Sequence, residues 1–327
     1  MARALRLVAR NRAGPSQVPW QRRVKGHVRV HDYTKGIFAI LFAGVVWGTT
    51  GTAATFAPDV SAAAIGAAAM GIGGLAQALF ALRGITRARA ELWHHRRLVL
   101  VGALAVAVYP LAFYGSMRLA GVTVGTVITI GSAPLLSAVI EYLLDHTRLT
   151  ARWIAGASIG LVGMVLISLA ERVSDLGIIG ADEVPLGIAL GLLGGLTYAL
   201  YSWTARKVML GGVPSSVAMG ATFGIGGVML LPVLLGTGGP FLASWGNAAV
   251  GIYMALVPMF LGYLAYGYGL ARVQASTATT ITLLEPVVAA MLAIVVVGER
   301  LPFMGWLGVG LIIGCLAIIT APSRRPK

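Results

Sequence analysis

The second half of this 327-residue chain repeats its first about 152 residues later, and almost everything inside the repeat is apolar. Three anchors fix the register. Gly71-Ile72-Gly73-Gly74 recurs as Gly224-Ile225-Gly226-Gly227, Tyr114-Gly115 as Tyr266-Gly267, and Pro134 as Pro286. A weaker anchor aligns Gly44 and Trp47-Gly48 with Gly195 and Tyr198-Ala199. Duplicated membrane segments mark secondary carriers, in which two related halves rock around a shared central site.

Composition supports a membrane solvent. Hydrophobic residues make up 57% of the chain and charged residues 11%, with a mean hydropathy of +0.85; a soluble domain carries about a quarter charged residues. The 44 glycines suit helices that pack closely in lipid. A lone cysteine, Cys315, excludes an intrachain disulfide and a cysteine metal site. His27, His31, His94, His95 and His146 fall in predicted loops without metal-ligand spacing. With no nucleophile elbow, phosphate loop or H-E-x-x-H pattern, neither an enzyme nor a cofactor is expected.

Cut at bilayer length, the sequence predicts ten spans: 36–57, 61–83, 98–117, 121–144, 151–170, 185–205, 213–235, 247–269, 274–297 and 302–321. Placing the N-terminus in the cytoplasm puts 22 of the 25 Lys/Arg on the inner side, leaving Arg118, Arg172 and Arg300 outside. The net charge of +14 therefore reads as the positive-inside rule with contact to anionic lipid heads, not as nucleic-acid binding. The expected organisation is a basic cytoplasmic tail (1–35), a first five-helix repeat (36–170), an acidic extracytoplasmic linker (171–184), a second repeat (185–321) and a basic cytoplasmic C-terminus (322–327) in a cell membrane. Residues 1–35 hold nine Lys/Arg against one acid; a transit peptide is the alternative to a disordered tail. Five spans per repeat force the halves into opposite orientations, so the fold expected is all-α with two inverted repeats.

Glu285 stands about halfway through span nine, where a charge is costly and usually pairs, protonates or serves a pathway. Two readings stand: it lines a cavity on a face with Ala278, Thr282 and Ala289, or it is a hydrogen-bonded carboxyl bracing the Pro286 kink. Pro134 and Pro286 are expected to kink their helices as a matched pair. Around them cluster Thr123, Thr126, Thr129, Ser132 and Ser137, and Ser276, Thr277, Thr279, Thr280 and Thr282; these hydroxyls either satisfy freed backbone groups or line a cavity. Trp47 and Tyr198 fall at mid-depth, outside any interfacial belt. Tyr114 and Tyr266, repeat partners at opposite depths, suit gates above and below a central site, or belt anchors. Small-xxx-small spacings at Gly44/Gly48, Gly156/Gly160, Gly187/Gly191 and Gly310/Gly314 predict tight helix packing.

These features converge on a resemblance. Trp47-Gly48, the run Leu284-Glu285-Pro286-Val287-Val288 leading into Gly298-Glu299-Arg300-Leu301, and the Gly-rich last span are similar in combination to the EamA family of the drug/metabolite transporter superfamily, over about 36–321. The first half departs from that pattern, with Thr147 where a second glutamate often stands; Glu299 is expected to cap span ten or anchor a turn. The resemblance implies secondary transport, commonly outward, of amino acids, related metabolites or xenobiotics, with spans one, three, four, six, eight and nine around the cavity. The mechanism expected is alternating access, with substrate against Trp47 and Tyr198, hydroxyls such as Thr129 and Thr282 at its polar end, and Glu285 binding an ammonium or carrying a coupling proton. Two rivals from other classes are a sensor or assembly protein working through the basic tail and a lipid-modifying membrane enzyme.

Overall fold

In a computed structural model of the chain, residues 30–172, 183–298 and 300–321 are described. Among the described residues every regular element is helical, and ten helices are long and apolar enough to cross a membrane. They are α1 (Asp32–Ala54), α2 (Ala62–Arg87), α3 (Arg96–Ala120), α4 (Val124–Asp145), α5 (Ala151–Ala170), α6 (Val184–Leu210), α7 (Ser215–Thr237), α8 (Trp245–Leu270), α9 (Ala275–Val296) and α10 (Phe303–Thr320). Most of the basic tail, most of the acidic linker, Glu299 and the basic C-terminus lie outside the described residues.

Most helices start and stop within a few residues of the expected spans. The larger overruns are at basic ends: α2 continues to Arg87 and α6 to Leu210. A helix need not end where hydrocarbon ends, because long basic side chains carry their charge outward to water. Ser61 and Ser244 start their helices by accepting from the Ala64 and Asn247 amides, at 3.2 and 3.1 Å.

The outside of the bundle is apolar. Leu79, Leu143 and Leu104 are 73%, 61% and 53% exposed, an arrangement that only a lipid solvent makes favourable. Near helix ends Trp93, Trp245 and Phe303 are exposed, as interfacial aromatics are. The chain is a multi-pass membrane protein.

Inside, the repeat anchors become contacts. On α2 and α7, which run antiparallel, a Cβ on Gly227 would lie 2.7 Å from the Gly71 carbonyl oxygen, and one on Gly224 would lie 2.5 Å from the Ala78 Cβ. The two Gly-Ile-Gly-Gly runs thus face one another, and their lack of side chains sets the helix separation. α5 and α10 meet the same way, with Gly163 against the Gly308 carbonyl oxygen at 2.7 Å from a built Cβ. Gly156 and Gly160 join this contact against Ile319 and Cys315, and Gly187 and Gly191 of α6 seat on Ala120, Ser116 and Ile128. Gly310 and Gly314 face open space. Only one stripe of α10 can meet α5, and Gly308 occupies it.

The prolines are not equivalent. α4 runs continuously through Pro134, whereas α9 breaks into Ala275–Ile281 and Leu284–Leu292, two residues before Pro286. At the break, Leu283 and Glu285 donate to carbonyls three residues back, on Thr280 (3.2 Å) and Thr282 (2.9 Å). The two prolines expected to kink their helices thus differ in one respect: the helix is interrupted before Pro286 and uninterrupted at Pro134. Side-chain bonds at Thr282 supply the physical reason: its hydroxyl donates to the Thr279 carbonyl at 2.9 Å and also meets the Tyr198 hydroxyl at 2.9 Å, which holds the turn.

Candidate functional site

α1 reaches the centre of the bundle on two glycines. A Cβ on Gly48 would lie 2.8 Å from the Glu285 carbonyl oxygen and 2.5 Å from the Val288 Cβ, and Gly44 faces Leu284. This close approach sets Trp47 beside the break in α9. The indole lies 4.6 Å from the Tyr263 ring, 5.2 Å from Tyr266 and 6.4 Å from Tyr198. Its Nε1–H donates to the Pro258 carbonyl at 2.8 Å.

That carbonyl is available because Ala255–Gly262 of α8 is π-helical around Pro258. Wider turns leave carbonyls without their usual partners, a frequent feature of functional sites. Here Pro258 accepts from Trp47, and Met259 accepts from the Gln77 Nε2 at 3.1 Å. Gln77 is fully buried, and its own carbonyl oxygen has no protein partner among the described residues.

The ring hydroxyls pair off. Tyr201 meets Tyr263 at 2.8 Å, Tyr266 meets Ser202 at 2.9 Å, and Tyr198 meets Thr282. Tyr109 stacks on Phe113 at 5.8 Å and meets Tyr198 at 5.7 Å. Tyr109 and Tyr114 are half-buried, and among the described residues neither phenol has a hydrogen-bond partner. Rings from α1, α3, α6 and α8 thus converge on one region.

Glu285 belongs to this region. Its backbone carbonyl faces Gly48, one residue from Trp47, and Thr282, three residues before it, meets the Tyr198 hydroxyl. The residue keeps accessible surface, and among the described residues its carboxylate accepts no hydrogen bond. Among the described residues no side-chain bond from Glu285 braces the Pro286 turn, as one of the two readings above would have it; that turn is held through Thr282.

The structure brings Trp47, Tyr198, Tyr266, Thr282 and Glu285 together, with Tyr114 beside them. Tyr266 is fully buried within the cluster, while half-buried Tyr114 packs against Gly66, so these repeat partners occupy unlike surroundings. Thr129 lies elsewhere. It is fully buried at the α4–α6 contact, where a Cβ on Gly194 would meet its side chain at 2.8 Å. Most span-nine hydroxyls bond back to carbonyls of their own helix, Thr279 to Ala275 (2.9 Å) and Thr280 to Ser276 (2.7 Å) among them. Those hydroxyls serve the backbone.

A second carboxylate was not anticipated. Glu141, one turn from the end of α4, is 2% exposed and accepts from the Ala275 amide (2.7 Å), the Ser276 amide (3.3 Å) and the Ser276 hydroxyl (2.5 Å). It therefore caps the N-terminus of α9 from a neighbouring helix. One turn further in, Thr279 donates to Ser137 at 3.3 Å. Beside this cap, Asp145 pairs with Lys207 at 2.6 Å and accepts from the Trp203 indole at 3.0 Å, and Arg206 donates to the Val273 carbonyl at 2.5 Å. α4, α6 and α9 are thereby tied together at the end of the bundle that carries Arg83, Arg87, Arg96 and Arg97, here called the basic end. Toward the other end α9 leans on α1 through Gly44 and Gly48.

Comparison with known proteins agrees with this architecture. The model of the EamA-like transporter family matches residues 34–169 and again 185–321. An uncharacterized transporter, YwfM of Bacillus subtilis (strain 168), is 30% identical over 289 residues, covering 88% of this chain and 94% of that protein. A probable terminal-alkyne amino-acid exporter of Streptantibioticus cattleyicolor is 24% identical over 276 residues, covering 80% and 89%. A solved crystal structure shares the fold with a TM-score of 0.70 at 20% identity, covering 86% of this chain and 95% of its own. On the strength of the two family matches and the 30% relative, the chain belongs to the EamA-like transporter family.

Proposed function

We propose that the protein is a secondary transporter in the cell membrane, carrying small organic solutes such as amino acids or related metabolites outward by alternating access. The observation that carries this reading is an unpartnered carboxylate, Glu285, held among aromatic rings at the break of a membrane helix. A charge left without a protein partner at that depth is costly, and it persists where a pathway needs it. Trp47, Tyr198 and Tyr266 form the apolar wall, and Tyr114 and Glu285 face the same region.

The two family-matched segments, 34–169 and 185–321, act as inverted halves that rock against each other. The antiparallel contacts of α2 with α7 and of α5 with α10 support this reading. With the basic end in the cytoplasm, both termini are cytoplasmic and the Arg-rich helix ends lie near anionic lipid heads. The ties around Glu141 then form a closed inner gate, and the state seen is the one closed to the cytoplasm. Glu285 couples the cycle to a proton or to charge on the substrate. The family membership argues for transport over the sensor and enzyme alternatives.

The test is flux in proteoliposomes with labelled amino acids and related solutes, with and without an imposed pH gradient. Saturable flux that rises with the gradient in the wild type, and loses that response in Glu285→Gln, is the expected result. Saturable flux with the same gradient response in both proteins removes the coupling role. Absence of flux together with loss of a cellular phenotype on deleting residues 1–35 would favour a sensor.

A further inference from the structure

The free polar groups at the site narrow the substrate further than the family does. Around the aromatic cluster, the hydroxyls of Tyr198, Tyr201, Tyr263 and Tyr266 and the indole N–H of Trp47 are already engaged with protein partners. The groups left uncommitted there include one carboxylate, Glu285, two phenols, Tyr109 and Tyr114, and the Gln77 carbonyl oxygen, and none of them is a cation.

The partly buried cations are engaged elsewhere. Lys207 pairs with Asp145, Arg206 donates to the Val273 carbonyl, Arg272 donates to the Tyr268 carbonyl and lies over its ring, and Arg152 donates to the last carbonyls of α10. All four sit at the basic end, away from the break in α9. The site therefore offers a carboxyl group and π faces but no positive counter-charge.

We infer that, among the small organic solutes of that reading, the preferred substrate is an organic amine, a cation with an aromatic or apolar body and no carboxylate of its own. This inference rests on the carrier reading above. An ammonium neutralises Glu285 at a depth where an unpaired charge is costly, and aromatic faces attract the same cation. A zwitterionic amino acid brings a carboxylate a few bonds from its ammonium. That carboxylate would be desolvated close to Glu285, where the free donors are neutral hydroxyls such as the Tyr109 and Tyr114 phenols and no cation is at hand. An anion without an amine meets only repulsion.

The experiment holds the body constant and changes the charge. Wild-type full-length protein in proteoliposomes is offered phenylethylamine, phenylalanine and phenylacetate, each labelled, in counterflow against its own unlabelled form. Phenylethylamine should show saturable counterflow, with phenylalanine competing at least about tenfold more weakly and phenylacetate not at all. Glu285→Gln should remove the preference for the amine, while Glu285→Asp, which keeps the charge, should retain part of it. Because the wild-type comparison decides by itself, poor folding of a variant does not obscure the answer. Phenylalanine transported as well as the amine overturns the inference and leaves the carrier standing. So does saturable flux of a neutral solute with none of the amine. No saturable flux of any solute, with a site unreachable by reagents from both sides of the membrane, overturns the inference and the carrier reading together.

Discussion

Two glutamates on facing helices have opposite surroundings. Glu141 of α4 is buried and accepts three hydrogen bonds from the start of α9, two of them from backbone amides. Glu285 of α9 keeps accessible surface, sits among tyrosines and accepts none among the described residues. The duplication supplies neither with a symmetric copy: at a spacing of about 152 residues, Ala293 corresponds to Glu141 and Ala133 to Glu285. A carboxylate whose hydrogen-bonding capacity is met holds structure together. One whose capacity is unmet is poised for something absent from the protein. On the function proposed above, the first serves a gate and the second meets the transported charge.

Removing the charge at Glu285 should have the largest effect. Glu285→Gln keeps the shape and loses the ion pair with a cationic substrate, which corresponds to about 3–5 kcal/mol for a desolvated pair and a fall of at least about a hundredfold in apparent affinity. The check is the concentration dependence of flux, with folding monitored by size-exclusion profile. Because its carboxylate makes no bond to the protein, thermal stability should not fall. A Glu285→Gln protein that melts markedly lower would mean that Glu285 is structural after all.

Glu141→Ala should do the reverse, lowering stability and loosening the basic end. Charge-assisted hydrogen bonds contribute about 1.5–3 kcal/mol each when buried, so a clear drop in melting temperature is expected. Ser276→Ala removes one of the three bonds and should cost about 1 kcal/mol. Its effect should largely vanish in the Glu141→Ala background, because the two residues form one contact. Additive effects in that cycle would separate the cap from the serine.

Gly48→Ala sharpens the comparison at the α1–α9 contact. The added methyl would lie 2.5 Å from the Val288 Cβ, so α1 must withdraw and take Trp47 with it. Overpacking of this kind costs about 1–3 kcal/mol. Flux should fall more than stability, through loss of the indole's position. Smallest of all, Tyr198→Phe deletes the bond to Thr282 for about 1 kcal/mol and should raise the half-saturation concentration only a few-fold.

Much of this was legible in the sequence because glycine and apolar patterns record packing directly. The Gly-Ile-Gly-Gly runs that set the repeat register are the residues by which α2 and α7 touch. Trp47-Gly48 and Leu284-Glu285-Pro286, read separately, prove to be one contact. Glu141 was not legible, since its partners are chiefly backbone amides of a helix 134 positions away, and backbone carries no sequence signal. Its place inside span four, one turn from the end, was the available hint. Tyr109 and Gln77 were missed for a related reason. Tyr109 matters for a phenol left free, and Gln77 for a carbonyl exposed by a π-helical turn that no local pattern announced. The Pro134/Pro286 pair looked symmetric because sequence shows the ring but not the Tyr198–Thr282 bond that holds only one of the two helices open.

In the proposed cycle the Glu285 region communicates with one side of the membrane while the Glu141 ties close the other. The direct measurement places a single cysteine at Ala289, on the half-buried face one turn beyond Glu285, in a Cys315→Ser background. Its reaction with a membrane-impermeant thiol reagent is then followed from each side, using right-side-out and inverted vesicles. Labelling is expected from the side opposite the basic end, with Glu141→Ala shifting reactivity toward the basic side. Labelling from the basic side with Glu141 intact, or a pattern that Glu141→Ala leaves unchanged, would contradict that cycle.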